Sequence, residues 1–201
     1  MSSEYRTDYH TPVLLEESVS LMEIGPADCC IDLTFGGGGH SRRILRALGP
    51  EGVLYAFDQD GDTHDNRPDD ARFHYVESNF RFMRGALRLR GVTEADAVLA
   101  DLGVSSHHFD CTERGFSFRG SAPLDMRMNR RGGRTAADIA NTYSNAELTR
   151  LLRDWGEVET PWKAANCIER ARALRPLATT ADLVEAVRPC TPRKDEAKYL
   201  T

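Results

Sequence analysis

Cys29-Cys30-Ile31-Asp32-Leu33-Thr34-Phe35-Gly36-Gly37-Gly38-Gly39-His40-Ser41 is the stretch that decides the fold. A short apolar run meets a glycine turn, and from Ser41 to Leu48 apolar residues recur three and four positions apart, as a helix requires. A strand, a glycine turn and a helix in that order open a βαβ unit. The glycines let backbone approach a ligand closely, and the helix N-terminus adds N–H donors. A flexible linker is the competing explanation of four glycines, but linkers do not lie squarely between a strand and a helix. The spacing departs from the dinucleotide fingerprint, because counting from Gly36 puts Ser41 where the third glycine belongs. A nucleoside cofactor without a pyrophosphate fits this turn better.

Working outward, three further strand-like runs are expected at Val53 to Asp58, Phe73 to Glu77 and Ala97 to Leu102, each ending near a polar or glycine-rich turn. Helical spacing covers Phe82 to Arg90, and Val13 to Met22 reads as a leading helix that starts after Thr11-Pro12. This alternation predicts an α/β fold with a parallel sheet. After Asp110 the texture changes. Gly115 to Gly133 is rich in Gly, Arg and Met without a period, and helices are expected at Ala136 to Tyr143, Asn145 to Trp155, Pro161 to Ala173 and Thr180 to Val187, with Ser144 and Thr179 as N-caps. Two domains follow, a ligand-binding core over 1–110 and a mostly helical region over 111–201. Four strands are fewer than a doubly wound sheet usually has, so either the chain is the N-terminal portion of a longer one or its sheet is small.

The 201 residues are 40% hydrophobic, enough for a sizeable core. The run Met1 to Tyr9 is polar and no stretch of about 18 apolar residues occurs, so a cytoplasmic location without membrane insertion is expected. Five cysteines without a C-x-x-C pair indicate neither a disulfide framework nor a zinc site. The net charge of -5 argues against nonspecific coating of nucleic acid, yet it conceals an asymmetry. Residues 1–110 carry 10 Lys/Arg against 19 Asp/Glu, and 111–201 carry 16 against 12. A basic half joined to an acidic one suits a small-molecule site beside a polyanion-docking surface; a solvated helical surface would look the same.

Asp58 ends the second strand 22 positions after Gly36, close to the spacing expected of an acid that accepts hydrogen bonds from ribose hydroxyls. Asp60 and Asp62 read as solvated loop acids. Phe80, after the third strand, is either a ring that packs on an adenine face or core filling. The fourth strand delivers Asp101-Leu102-Gly103-Val104-Ser105-Ser106 to the same edge, where open α/β sheets bind ligands. Asp101 and Ser105 are the candidate catalytic residues there, or else a cap and a turn residue. Cys111 has only Arg114 as a visible activating neighbour and reads as structural.

His10-Thr11-Pro12-Val13-Leu14-Leu15, Thr34 to Ser41, Asp101 to Ser106, Glu113-Arg114-Gly115-Phe116-Ser117-Phe118 and Pro123-Leu124-Asp125-Met126-Arg127-Met128 together closely resemble the MraW/RsmH family of small-subunit (16S) ribosomal RNA cytosine-N4 methyltransferases. The resemblance runs from about His10 to the end of the chain. It implies a Rossmann-like class I methyltransferase sheet carrying an inserted helical domain. It also implies S-adenosyl-L-methionine as cofactor, and the N4 of a cytidine in small ribosomal subunit RNA as acceptor. Carried over by motif, Gly36, Gly38, Gly39, His40, Asp58, Phe80, Asp101 and His108 would contact the cofactor. His108 departs from the family pattern, since Ser105-Ser106-His107-His108 stands where Ser-Ser-Pro-Gln is typical; outside the family, two adjacent histidines read as surface loop.

The cofactor carries the activation, so methyl transfer needs mainly in-line positioning, with an acceptor for an amino hydrogen supplied by Asp101 or Ser105. Arg114, Arg119, Arg127, Arg130 and Arg131, interleaved with Phe116 and Phe118, suit phosphate pairing and base stacking on an unstacked RNA strand; without the motif match the same segment reads as a mobile loop. Two alternatives stand beside this expectation. One is a cofactor- or RNA-binding portion that does not catalyse. The other is a DNA amino methyltransferase, which is weaker because the fourth strand lacks the Pro-Pro-aromatic turn of those enzymes.

Overall fold

The computed structural model describes residues 12–192. Among these, β1 (Cys29–Asp32), β2 (Val53–Asp58), β3 (Phe73–Glu77) and β4 (Ala97–Leu99) form one parallel sheet in the order β3-β2-β1-β4. Cys30 pairs with Leu54 on one side and Ala97 on the other, so β1 is central. The chain moves outward from β1 through β2 to β3, then crosses to the opposite side for β4. That reversal makes the space above the carboxyl ends of β1 and β4 a topological switch point, where open α/β sheets bind ligands.

Period-two alternation decides which face each strand residue covers. Cys30, Leu54 and Leu99 pack on one face with Val19 of α1 (Leu15–Leu21) and Ile44 and Leu45 of α2 (Gly39–Ala47). Ile31, Phe57 and Val76 pack on the other with Leu87 of α3 (Met83–Arg88). The sheet is thus covered on both sides, as buried parallel strands require. Burial also lifts the Cys30 thiol to about 11, which keeps it protonated.

The boundaries differ from expectation where side chains intervene. β4 stops at Leu99 rather than Leu102 because the Asp101 amide leaves the ladder and donates to Thr34 Oγ1 at 2.8 Å. α3 is preceded by a separate 3-10 turn, Phe80–Phe82, that Asn79 caps. α1 follows a left-handed Leu14 and has no side-chain cap. The expected start at Thr11, and the polar run Met1 to Tyr9, lie outside the described residues.

The chain divides into two compact units. One runs to Ser106 and takes back Met128–Arg130; the other comprises His107–Arg127 and resumes at Arg131. Within the second unit, a short helix α4 (Ser106–Asp110) leads in, and irregular chain follows. α5 (Ala136–Thr142), α6 (Asn145–Asp154), α7 (Pro161–Leu174) and α8 (Thr180–Val187) then enclose a core of Leu124, Ala140, Leu148, Ala165, Ile168, Leu177 and Val187. Ser144 and Thr179 cap α6 and α8 reciprocally with Glu147 and Asp182, and Thr135 does the same for α5 with Asp138. No helix among the described residues is long and apolar enough to cross a membrane.

Candidate active site

The glycine turn is built between two strand ends. After β1, Leu33 N–H donates to Leu99 O and Phe35 N–H to Phe57 O, each at 2.9 Å, so the outgoing chain is stitched to β4 and then to β2. Gly36 and Gly38 sit at φ +50° and +77°, a region side chains rarely adopt. A β-carbon at Gly38 would also come within 2.7 Å of Arg42 Nη1 and 2.9 Å of the Phe35 ring. Gly36, by contrast, faces open space: a β-carbon there would meet only Thr34 O, at 3.9 Å. The turn is held from below by fully buried Asp32, which accepts from Ser41 Oγ at 2.6 Å and from Thr34 N–H at 3.0 Å. Burial raises the Asp32 carboxyl above the ordinary range, opposed by those two donors.

Asp58 stands at the adjoining end of β2. Its Oδ2 accepts from Gly36 N–H at 2.8 Å and its Oδ1 from Asp60 N–H at 2.9 Å. Each oxygen keeps a further lone pair for an incoming hydroxyl. Burial raises this carboxyl too, against the pull of the two amides. On the β4 side, the Asp101 side chain is 56% exposed, and its Oδ2 lies 4.0 Å from Nδ1 of buried His40. His40 Nε2 has no hydrogen-bond partner among the described residues. Phe80, 40% exposed beyond β3, is not core filling. The structure therefore brings Gly36, Gly38, Gly39, His40, Asp58 and Asp101 to one end of the sheet, with Phe80 following the neighbouring strand. Ser105 lies at the end of the same unit, immediately before α4.

Other residues are placed differently from expectation. Asp60 is 3% exposed rather than solvated: its side chain caps a 3-10 turn over Gly61–Asn66 by accepting from Asp62 N–H. His108 belongs to the second unit and is 8% exposed, its ring 4.8 Å from that of Phe116, so it is no surface-loop residue. Cys111 has a neighbour that the sequence did not reveal, the His107 ring, whose nitrogens lie 3.5 and 3.6 Å from Sγ. Among the arginines, Arg119, Arg130 and Arg131 are exposed. Arg114 is 3% exposed and donates to Arg127 O, and Arg127 is engaged by both carboxylate oxygens of Asp125, at 2.8 Å each. Both guanidinium groups hold the loop, Arg114 from within it and Arg127 from its partly exposed surface.

A switch-point site with a glycine turn, flanked by one acid on each neighbouring strand end, defines a Rossmann-like α/β fold. Residues 7–201 match the model of the MraW methylase family. The chain is 50% identical over 198 residues to the ribosomal RNA small subunit methyltransferase H of Phocaeicola vulgatus, covering 98% of this chain and 65% of that relative. It is 46% identical to the protein of that name from Flavobacterium johnsoniae and 42% identical to that from Christiangramia forsetii, in each case over 96% of this chain and 64% of the relative. The chain belongs to the MraW methylase family. It spans about 65% of the length of the curated relatives it matches.

The residues at the switch point suit an adenosyl group. A side-chain-free turn leaves room above Gly36, Asp58 offers carboxylate lone pairs, and Phe80 offers an exposed ring. Replacing Asp58 by alanine is expected to weaken S-adenosylhomocysteine binding by about 1–3 kcal/mol, the worth of charge-assisted hydrogen bonds to hydroxyls. Calorimetric titration checks this, and unchanged affinity would remove Asp58 from the site.

The carboxylates also predict how each unit responds to acid. Asp32 and Asp58 have raised folded-state values, so their burial cost is present at neutral pH and is relieved as pH falls towards the ordinary carboxylate range near about 4. The cap acids Asp138, Glu147 and Asp182 are held low, first by their hydrogen bonds to Thr135, Ser144 and Thr179. Their contribution is intact above the ordinary range and is lost only as pH falls through the lowered values. Native-state hydrogen exchange, corrected for intrinsic rates, should show protection of β1 and β2 rising as pH falls from neutrality towards the ordinary carboxylate range, while α5, α6 and α8 stay constant over that interval. A fall in β1 and β2 protection over that interval would contradict this assignment.

Proposed function

We propose that the chain carries the S-adenosyl-L-methionine site of an RNA methyltransferase whose acceptor is the N4 amino group of a cytidine in small-subunit ribosomal RNA. One observation carries the proposal: the glycine turn is bonded on one side to Asp58 and on the other, through Thr34, to Asp101. Ribose-binding and amine-facing groups are thereby held across a single turn. The names of the relatives support ribosomal RNA as substrate.

When bound, the cofactor supplies an electrophilic methyl on a sulfonium. The protein's work is then placement and proton handling. Asp58 would accept from the ribose hydroxyls, and Phe80 and the Gly36–Gly39 backbone would hold the adenosyl group. A cytosine amino group is a weak nucleophile because its lone pair is delocalised into the ring. Asp101 Oδ accepts one amino hydrogen, which localises that pair, and takes the proton that the methylated amine must lose. Ser105 is the second candidate for that contact. Arg119, Arg130 and Arg131 supply exposed positive charge for RNA phosphates, whereas Arg114 and Arg127 shape the loop.

The test supplies labelled S-adenosyl-L-methionine and small subunits from cells lacking this modification, followed by digestion of the RNA to nucleosides. Label in N4-methylcytidine is expected. Label in another nucleoside, or in none, would overturn the proposed acceptor.

A further inference from the structure

Two amide side chains that no motif singles out join the strand end carrying Asp58 to the turn carrying Phe80. Arg81 N–H donates to Asn79 Oδ1 at 2.9 Å, which commits the oxygen of that amide and turns its nitrogen outward. Asn79 Nδ2 then donates to Gln59 Oε1 at 2.7 Å, which commits the Gln59 oxygen in turn. Gln59 Nε2 is left to donate to Met128 Sδ at 3.4 Å, within the same unit. The three bonds run in one direction, each amide serving once as acceptor and once as donor, so neither can flip without breaking two bonds.

Position gives this chain of bonds its meaning. Gln59 directly follows Asp58, and Asn79 directly precedes Phe80. The last backbone link between β2 and β3, Ser78 N–H to Asp58 O at 2.8 Å, lies just before them. Phe80 has little core packing to fix it, being 40% exposed. The backbone that carries it is held by the Asn79 cap, and Asn79 by the amide pair. Stacking on a purine depends on holding a ring face at a set distance and tilt from the ribose acceptor, and a ring fixed in advance loses less freedom on binding.

We propose that Gln59 and Asn79 are positioning residues that set the Phe80 ring relative to Asp58 for an adenosyl ligand. This rests on the nucleoside site proposed above. The test is calorimetric titration of S-adenosylhomocysteine into the whole chain carrying Gln59→Ala or Asn79→Ala, each made alone and together with Phe80→Ala. In the presence of Phe80, each substitution is expected to weaken binding about tenfold. In the Phe80→Ala background, the same substitutions should change affinity by less than about twofold, because the residue through which they act is gone. Gln59→Ala leaves the Asn79 cap in place, so it keeps the test decisive should Asn79→Ala loosen the turn. Equal losses in both backgrounds, or no loss in either, would overturn the positioning role while leaving the nucleoside site standing. A wild-type chain that does not bind S-adenosylhomocysteine overturns the site itself and this role with it.

Discussion

Asp101→Ala is expected to lower the rate of methyl transfer by about 10²–10⁴-fold, the range for removing a positioned proton acceptor. The loss should fall on chemistry rather than on folding. What anchors Asp101 is its backbone amide, which donates to Thr34 Oγ1 and survives the substitution, while its carboxylate is mostly solvated. The thermal midpoint should therefore stay near that of the parent. Asp101→Asn tests the mechanism more sharply. It preserves shape and one hydrogen-bond acceptor but cannot take up the proton, so it should recover little of the rate. Single-turnover kinetics on undermodified small subunits measures both, and an unimpaired Asp101→Asn would transfer the role to Ser105.

The second large effect concerns the support beneath the site. Phe57→Ala should cost about 3–5 kcal/mol of stability, since a fully buried aromatic is removed from a core that cannot fully collapse. Phe57 packs among Ile31, Val76 and Leu87 on the face covered by α3, and its carbonyl receives the Phe35 N–H that starts the glycine turn. A cavity here lies one residue from Asp58. Denaturant unfolding of the parent and the variant should show a lower midpoint. A loss below about 1 kcal/mol would mean that β2 does not form the middle of this core.

Much of this architecture was legible in the sequence, for identifiable reasons. β2 and β3 match their expected bounds residue for residue, because both are apolar runs ended by acids and flanked by turn formers. The glycine turn announced itself through its place between strand and helix, and Ser144 and Thr179 through the acid three residues on. Burial of polar groups in loops was not legible. Asp60, His108 and Arg114 are ordinary loop residues by composition, and only tertiary packing places one under a 3-10 turn, one against Phe116 and one behind Arg127. Asp60-Gly61-Asp62 did hold a signal, since an acid two residues before a backbone N–H it can reach is a turn-forming pattern. The Gln59 and Asn79 pair left none, because contact between residues 20 apart depends on the register of two strands.

Amide chemical-shift mapping of the chain titrated with S-adenosylhomocysteine is the most direct measurement of the adenosyl site. The largest shifts should fall on Gly36 to His40, Asp58 to Gln59, Asn79 to Phe80 and Asp101, all at the carboxyl end of the sheet. Saturable shifts that leave Gly36, Asp58 and Asp101 unmoved, or map to another face, would show that the glycine turn is not where the nucleoside binds.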